Sequence, residues 1–346
     1  MTNKWKGKRV LITGVCGTVG AALLKKLSKK DCQHIVGIDN NETELFFIGQ
    51  DYSKHSNIDV FVGDLRDKDS MDRVMKNIDI VLHSAALKHV ILCERSPRDA
   101  VATNIQGMMN IIDAAERNDV DRLIFTSSDK AVNPTNVMGT TKLMGERLMT
   151  AANAHRCNES ETIYASTRFG NVLGSRGSVV PIFARQIASG KSITLTDKSM
   201  TRFVMTLDEA VSLVLKSVWH ACGGEIFVTK MPIIRIIDLA EVMIEMLAPK
   251  YGYKPSDIGI EVIGAKPGEK MYEELLNEEE MRRAIELEQF FSVLPAFKGI
   301  YHNIDYNYGD ILSKNVDKEY NSKIETPLTK KELKEYIHKN KLLGEL

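Results

Sequence analysis

The chain lacks paired cysteines, net charge and long apolar runs. Its five cysteines (Cys16, Cys32, Cys93, Cys157 and Cys222) are widely spaced and contain no C-x-x-C. An odd, scattered set argues against a disulfide framework or a thiolate metal site and fits a reducing compartment. Lys and Arg number 46, against 46 Asp and Glu, so the formal net charge is zero. That balance argues against a nucleic-acid partner, which calls for a basic surplus. No segment reaches the roughly 18 uninterrupted apolar residues of a membrane span. The richest, Met231–Ala248, is cut by Arg235, Asp238, Glu241 and Glu245. The first residues show no apolar leader. These absences lead us to expect a cytoplasmic protein with no membrane partner. Repeats and low-complexity segments are missing too.

What is present is ordinary globular composition, 43% hydrophobic and 27% charged over 346 residues. That length suits about two domains. The first half alternates short apolar runs with helical patterns. Arg9–Gly14, His34–Asp39, Ile58–Asp64, Asp79–Ala85 and Arg122–Ser128 read as strands. Thr18–Lys29, Ala102–Arg117 and Met138–His155 read as helices between them. Such alternation predicts an α/β fold, a doubly wound, Rossmann-like parallel sheet covered on both faces. Beyond Thr167 the pattern loosens. Helices are expected near Ile182–Ser189 and Leu207–His220, with a strand at Glu225–Thr229, and Ile236–Ala248, Ile258–Ile263 and Tyr272–Gln289 suggest a smaller α/β lobe. We place the dinucleotide-type domain at 1–172, with 200–230 returning to it, and a smaller C-terminal α/β lobe at 173–199 and 231–346. Glu273–Glu280 reads as a solvated helix face. Thr329 and Glu332 form a capping box that opens a closing helix.

Gly14, Gly17 and Gly20 fall between the first strand and the first helix. Glycines there let the backbone turn sharply and approach a pyrophosphate, which then faces the helix N-terminus at Thr18 and Val19. Asp39 ends the second strand, 19 residues after Gly20, close to the ~20 expected of a ribose-binding carboxylate. A carboxylate repels a 2′-phosphate, and no Arg follows in Asp39-Asn40-Asn41-Glu42-Thr43-Glu44. NAD is therefore favoured over NADP. Asp64 and Leu65, after the third strand, are candidates for the adenine end.

Several stretches occur together: Ala85–Val90 (AALKHV), Thr126–Gly139 (TSSDKAVNPTNVMG), Arg168–Pro181 (RFGNVLGSRGSVVP), Met200–Phe203 (MTRF), Gly223–Val228 (GGEIFV) and Pro267–Lys270 (PGEK). With the glycine motif they resemble the UDP-N-acetylglucosamine 4,6-dehydratases, a branch of the extended short-chain dehydrogenase/reductase superfamily. The resemblance runs to about residue 295. It implies NAD contacts also from Asn40, Ala85, Ala86 and Asn104, and a UDP-sugar as the partner held by the second lobe. Lys88, His89, Asn171, Arg176, Val179, Arg202, Lys266 and Glu269 fall in the substrate-binding stretches. Arg176 and Arg202 are then the expected diphosphate partners and Glu269 the ribose partner. Lys266 stands where the family usually has Arg, and a Lys cannot make the planar two-pronged contact. Relatives form dimers and hexamers, so a homo-oligomer is implied.

The same resemblance makes Ser128, Asp129, Lys130, Met138 and Lys142 the catalytic stretch. The superfamily places a Tyr four residues before the Lys; here that position is Met138, whose thioether has no proton to exchange. Met occurs there in some family members, and packing at the helix start is its simplest role. The implied reaction oxidises C4 of the sugar, removes the C5 proton, expels the C6 hydroxyl as water and returns the hydride to C6. Lys130 is the expected C5 base and Asp129 the expected acid for water loss. Those roles call for a Lys130 that gives up its proton readily and an Asp129 kept protonated by burial. Lys142, Asp129 or a water held by Ser128 remain for the C4 hydroxyl. A 4-epimerase or 4-reductase and a non-catalytic dinucleotide sensor are the alternatives. The sequence leaves C5 inversion or retention open.

Overall fold

A computed structural model describes residues 3–154, 162–175, 177–264, 268–297 and 304–343. In chain order the elements are β1 (Arg9–Thr13), α1 (Thr18–Leu27), β2 (His34–Asp39), α2 (Glu42–Asp51), β3 (Ile58–Val62), α3 (Lys68–Val74), β4 (Ile80–His83), α4 (Val90–Arg95) and α5 (Pro97–Val101). A single π turn, Ala102–Gln106, leads into α6 (Gly107–Arg117), then β5 (Arg122–Ser128), a 3₁₀ turn at Asp129–Ala131, α7 (Val137–Ala154), β6 (Ile163–Phe169) and β7 (Asn171–Val172). There follow α8 (Val179–Ala188), β8 (Ile193–Leu195), β9 (Thr201–Met205), α9 (Leu207–His220), β10 (Ile226–Thr229), β11 (Ile233–Arg235), α10 (Ile236–Leu247) and β12 (Ile260–Val262). The chain ends with β13 (Glu274–Leu276), α11 (Glu278–Met281), β14 (Ala284–Leu287), β15 (Phe290–Val293), β16 (Ile311–Ser313), β17 (Tyr320–Asn321) and α12 (Lys330–Lys339).

The main sheet has the order β16-β14-β15-β10-β6-β5-β4-β1-β2-β3. From β3 to β10 the pairs are parallel; β15, β14 and β16 add antiparallel. The order reverses between β1 and β4, and such a switch point opens a crevice at the strand C-termini. The central strands are buried on both faces, as their unbroken apolar runs require: Val10, Leu11 and Ile12, and likewise Ile80, Val81 and Leu82, are fully inaccessible or nearly so. One core lies under α1 and α9, through Leu23, Leu24, Leu27, Val211 and Val214. Another lies under α3, α6 and α7, through Met71, Met108, Ile111 and Met149. A third holds α8, α10 and α12 together through Phe183, Ile187, Leu239, Met243, Leu333 and Ile337.

The structure corrects the sequence reading in four places. Residues 284–293 and 311–313 extend the main sheet, although 231–346 was assigned to the second lobe. Their alternation had too few residues per strand to announce a partner. Within 200–230, β10 joins the main sheet as expected, but β9 pairs with β11 and β7 in a separate three-stranded sheet. The helix expected over Ala102–Arg117 begins as a π turn. Glu273–Glu280 is not a solvated helix face: the helix there is only Glu278–Met281, and Glu273 and Glu280 are each 3% exposed. Glu280 joins Glu146 around the Arg168 guanidinium, at 2.9 and 2.6 Å, with all three side chains buried. Counter-charges far along the chain make this burial tolerable, and periodicity cannot show them. The capping box at Thr329 and Glu332 is present. No described helix is long and apolar enough to cross a membrane.

Candidate active site

A cavity of about 710 Å³ runs along the switch point, from the glycine turn to the C-terminal end of β5. Gly14 has φ +72°, the left-handed region, and a Cβ there would lie 2.7 Å from the Ala85 backbone. A Cβ on Gly20 would lie 2.1 Å from the Gly14 carbonyl oxygen. These two glycines let α1 start hard against the β1 turn. Gly17 is the N-cap of α1 and offers no side-chain cap, so the helix N-terminus faces the cavity through Gly17, Thr18, Val19 and Gly20. That is a ready site for a pyrophosphate. The Asp39 carboxylate accepts from the Cys16 N–H at 3.0 Å and the Asn41 N–H at 3.1 Å. Asp39 and Asn40 line the cavity, as do Asp64, Leu65, Ala85 and Ala86. Asp64 is gripped by the Arg66 guanidinium at 2.5 Å, whose hydrogen bonds hold the carboxyl below its usual range.

Asn104 stands elsewhere. Its amide oxygen accepts from the Leu87 N–H at 2.8 Å, and its amide nitrogen donates to the Leu87 carbonyl and to Thr141 Oγ1. It does not line the cavity; Thr103 beside it does. The π turn aims Asn104 inward, where it ties the 85–88 loop to α7 rather than facing a ligand.

At the end of β5, Ser128 Oγ donates to Asp129 Oδ1 at 2.7 Å. The Lys130 ammonium lies 3.0 Å from Asp129 Oδ2 and 3.8 Å from Glu273 Oε1. Glu273 in turn accepts from Asn171 Nδ2 at 2.7 and 2.9 Å, from the Phe203 N–H at 3.1 Å, and pairs with Arg202 Nε at 3.2 Å. Burial pushes the Asp129 carboxyl up, but the Lys130 charge and hydrogen bonds from Ser128, Lys130 and Glu273 outweigh it and hold it low. Burial pulls Lys130 down, and the charges of Asp129 and Glu273 outweigh that and hold it high. Glu273 carries the opposite balance: burial and the Asp129 charge push it up to about 7. The sequence reading had Asp129 as the protonated acid and Lys130 as the ready base. Before substrate arrives the two form an ion pair, and Glu273 is the carboxyl pushed toward protonation.

Lys142 is buried and donates to the Thr126 carbonyl at 2.9 Å, with its ammonium 4.6 Å from the Phe125 ring centroid. Burial pulls it down to about 8. Met138 is 3% exposed and packs with Cys93 and Ala100 while also lining the cavity, which is a packing role. Ser127 lines the cavity as well, and its buried Oγ has no hydrogen-bond partner among the described residues. The sequence reading took Ser128 from this pair and passed over Ser127; alternation along β5 separates the two.

On the sugar side Lys88, His89 and Asn171 line the cavity. Arg202 does not. Its guanidinium is spent on the Thr201, Lys270 and Met271 carbonyls and on Glu273, so it serves as a part-buried counter-ion, not as a diphosphate clamp. Val179 opens α8 and packs into the third core. Glu269 accepts from Thr196 Oγ1 at 3.4 Å, outside the cavity lining. Arg176 and Lys266 lie outside the described residues.

Comparison with known proteins adds the family. The model for the polysaccharide biosynthesis protein family matches residues 10–295. The chain belongs to that family. An uncharacterized membrane protein of Methanocaldococcus jannaschii is 47% identical over 97% of both chains. The solved structure of Pen from Bacillus thuringiensis is 41% identical, with a TM-score of 0.91 over 99% of this chain and 100% of that one. Family relatives with two different activities match about equally. The UDP-N-acetylglucosamine 4,6-dehydratase (inverting) of Campylobacter jejuni is 36% identical over 88% of this chain and 87% of its own length. The UDP-glucose 4-epimerase of Rickettsia akari is 38% identical over 83% and 82%.

Proposed function

We propose that this family member is an NAD-dependent UDP-N-acetylglucosamine 4,6-dehydratase. The observation that carries the reading is the Asp129–Lys130 pair, set at the end of β5 on the wall of a cavity that also holds the glycine turn. The residues present fit a dinucleotide: a tight turn at Gly14 that a Cβ would block, a helix N-terminus without a side-chain cap, and Asp39 placed to receive ribose hydroxyls. NAD, when bound, would take the C4 hydride and give it back at C6.

Proton accounting then defines the protein's part. Dehydration moves the C4 hydroxyl proton to the departing C6 oxygen, while the C5 proton leaves and comes back. Two groups that each accept and release one proton suffice. Asp129, ionised and lining the cavity, can accept at C4 and deliver at C6. Lys130, whose side chain is 30% exposed to the cavity, can do the same at C5 once it has passed its ammonium proton to solvent as substrate binds, and it takes a proton back from solvent when product leaves. Neither step needs the Tyr that Met138 replaces. Lys142 would sit under the nicotinamide ribose, and Ser127 and Ser128 would orient sugar hydroxyls. Lys88, His89 and Asn171 would face the UDP-sugar. Assembly into a dimer or hexamer belongs to the same proposal; the exposed Leu92, Val101 and Met144 support it, and light scattering tests it.

Incubation with UDP-N-acetylglucosamine and mass spectrometry of the product is the test: loss of one water is expected. A second reading, 4-epimerisation, is favoured by the Rickettsia relative's match and would leave the mass unchanged. Asp129→Asn with Lys130→Ala should abolish water loss and leave dinucleotide binding intact; full turnover in that variant would defeat the assignment. Proton NMR of the product reads C5 inversion or retention.

A further inference from the structure

Behind the pair that faces the cavity stands a carboxyl with no place in the reaction so far. Glu273 is 3% exposed, yet its carboxyl meets charged and polar partners. Asp129 and Lys130 face it from the turn after β5, Arg202 and the Phe203 N–H from β9, and Asn171 from β7. Its own N–H donates to Ser322 Oγ at 2.8 Å, so the C-terminal tail fixes its backbone. The next carboxylate, Glu274, is occupied by Lys270 at 3.1 Å and stays out of the cluster. Asp129 and Glu273 face Lys130 and Arg202, two carboxyls and two cations in one small space. Two carboxyls close together in a buried site do not both ionise freely, and both of these reach the one Lys130 ammonium, at 3.0 and 3.8 Å.

We propose that Glu273 is a positioning residue for the Asp129–Lys130 pair: its carboxyl shares a proton with Asp129, holds the lysine ammonium from behind, and sets how readily Asp129 accepts a proton from substrate. The consequence for turnover rests on the dehydratase reading; the shared proton does not. With Glu273 ionised, its charge makes Asp129 a better acceptor for the C4 hydroxyl proton. With Glu273 protonated, that help is withdrawn. No proton is created or lost. The C4 proton passes to Asp129 and on to the C6 oxygen, and Glu273 keeps or shares its own.

Two measurements test this. The first is kcat against pH for wild type and E273Q. Wild type should gain activity as the pH rises through about 7, where burial and Asp129 place the Glu273 carboxyl. E273Q should lose that limb, with kcat down about tenfold or more and KM little changed, and E273D should recover part of both. A folded E273Q that keeps kcat and the limb, or that changes only KM, overturns the proposal and leaves a clasp. The second uses glutamate carbon-13 NMR of the substrate-free protein. A glutamate should titrate near neutrality and move toward the ordinary range in D129N. Glu225, a second buried glutamate among the described residues pushed up to about 7 by burial, has no Asp129 neighbour and should not move. No coupled glutamate in wild type and D129N overturns the proposal, even if E273Q fails to fold. If wild type releases no water from any UDP-sugar while the coupling is present, the dehydratase reading falls and the shared proton stands.

Discussion

Lys142→Met should make stability depend on pH differently from wild type. Lys142 is 7% exposed, and burial pulls its ammonium from 10.5 to about 8. The folded value lies below the unfolded one. The penalty for charging the side chain inside is therefore full below pH 8 and disappears as the pH rises toward 10.5. With those two values, linkage gives wild type about 2 kcal/mol more stability at pH 9.5 than at pH 7, relative to a variant with no charge there. The Met variant also loses the bond to the Thr126 carbonyl and the contact with the Phe125 ring. Those losses, together about 2–4 kcal/mol, offset the relief at pH 7, so the absolute difference there should be small. The slope is the sharper quantity. Urea unfolding of the dinucleotide-free proteins at both pH values measures it, and ionisations common to both proteins cancel. A stability difference constant to within about 0.5 kcal/mol between pH 7 and 9.5 would refute a depressed, buried lysine. Dinucleotide affinity should fall in the same variant.

Gly20→Ala places a Cβ 2.1 Å from the Gly14 carbonyl oxygen and 2.9 Å from Val15 Cα, all backbone. Helix α1 must move off the turn, at about 1–3 kcal/mol, with a fall in thermal midpoint and in NAD affinity by calorimetry. Asp39→Ala should weaken NAD and narrow its advantage over NADP; unchanged selectivity in competition binding would argue against the ribose contact. Glu280→Ala strips one of the two carboxylates from the buried Arg168 and should cost about 3–5 kcal/mol in urea unfolding. Removing the exposed Glu278 partner of Arg282 should cost under about 1 kcal/mol.

Local pattern carried most of the dinucleotide half. β1, β2 and β5, the glycine turn and α1 were legible because strand burial and helix amphipathicity are short-range properties, each written within about ten residues. The antiparallel extension by β14, β15 and β16 was not legible, since strands of three or four residues show no period. The candidate site divided the same way. Asp39, Asp129, Lys130 and Lys142 stand on or beside elements that pattern located, and they line the cavity. Arg202 and Asn104 were placed against ligand and are instead consumed by carbonyls, by Glu273 and by the 85–88 loop.

The sequence alone determined the doubly wound fold, the glycine turn and the residues at the end of β5. Only the tertiary structure decided which charges surround them. Which of Asp129 and Glu273 is pushed up depends on which distant charges share its buried surroundings. Glu273 reaches the Asp129–Lys130 turn because β13, which it immediately precedes, lies beside that turn. Charge over distance in a poorly screened interior fixes that choice, and spacing along a chain carries no information about distances of that kind.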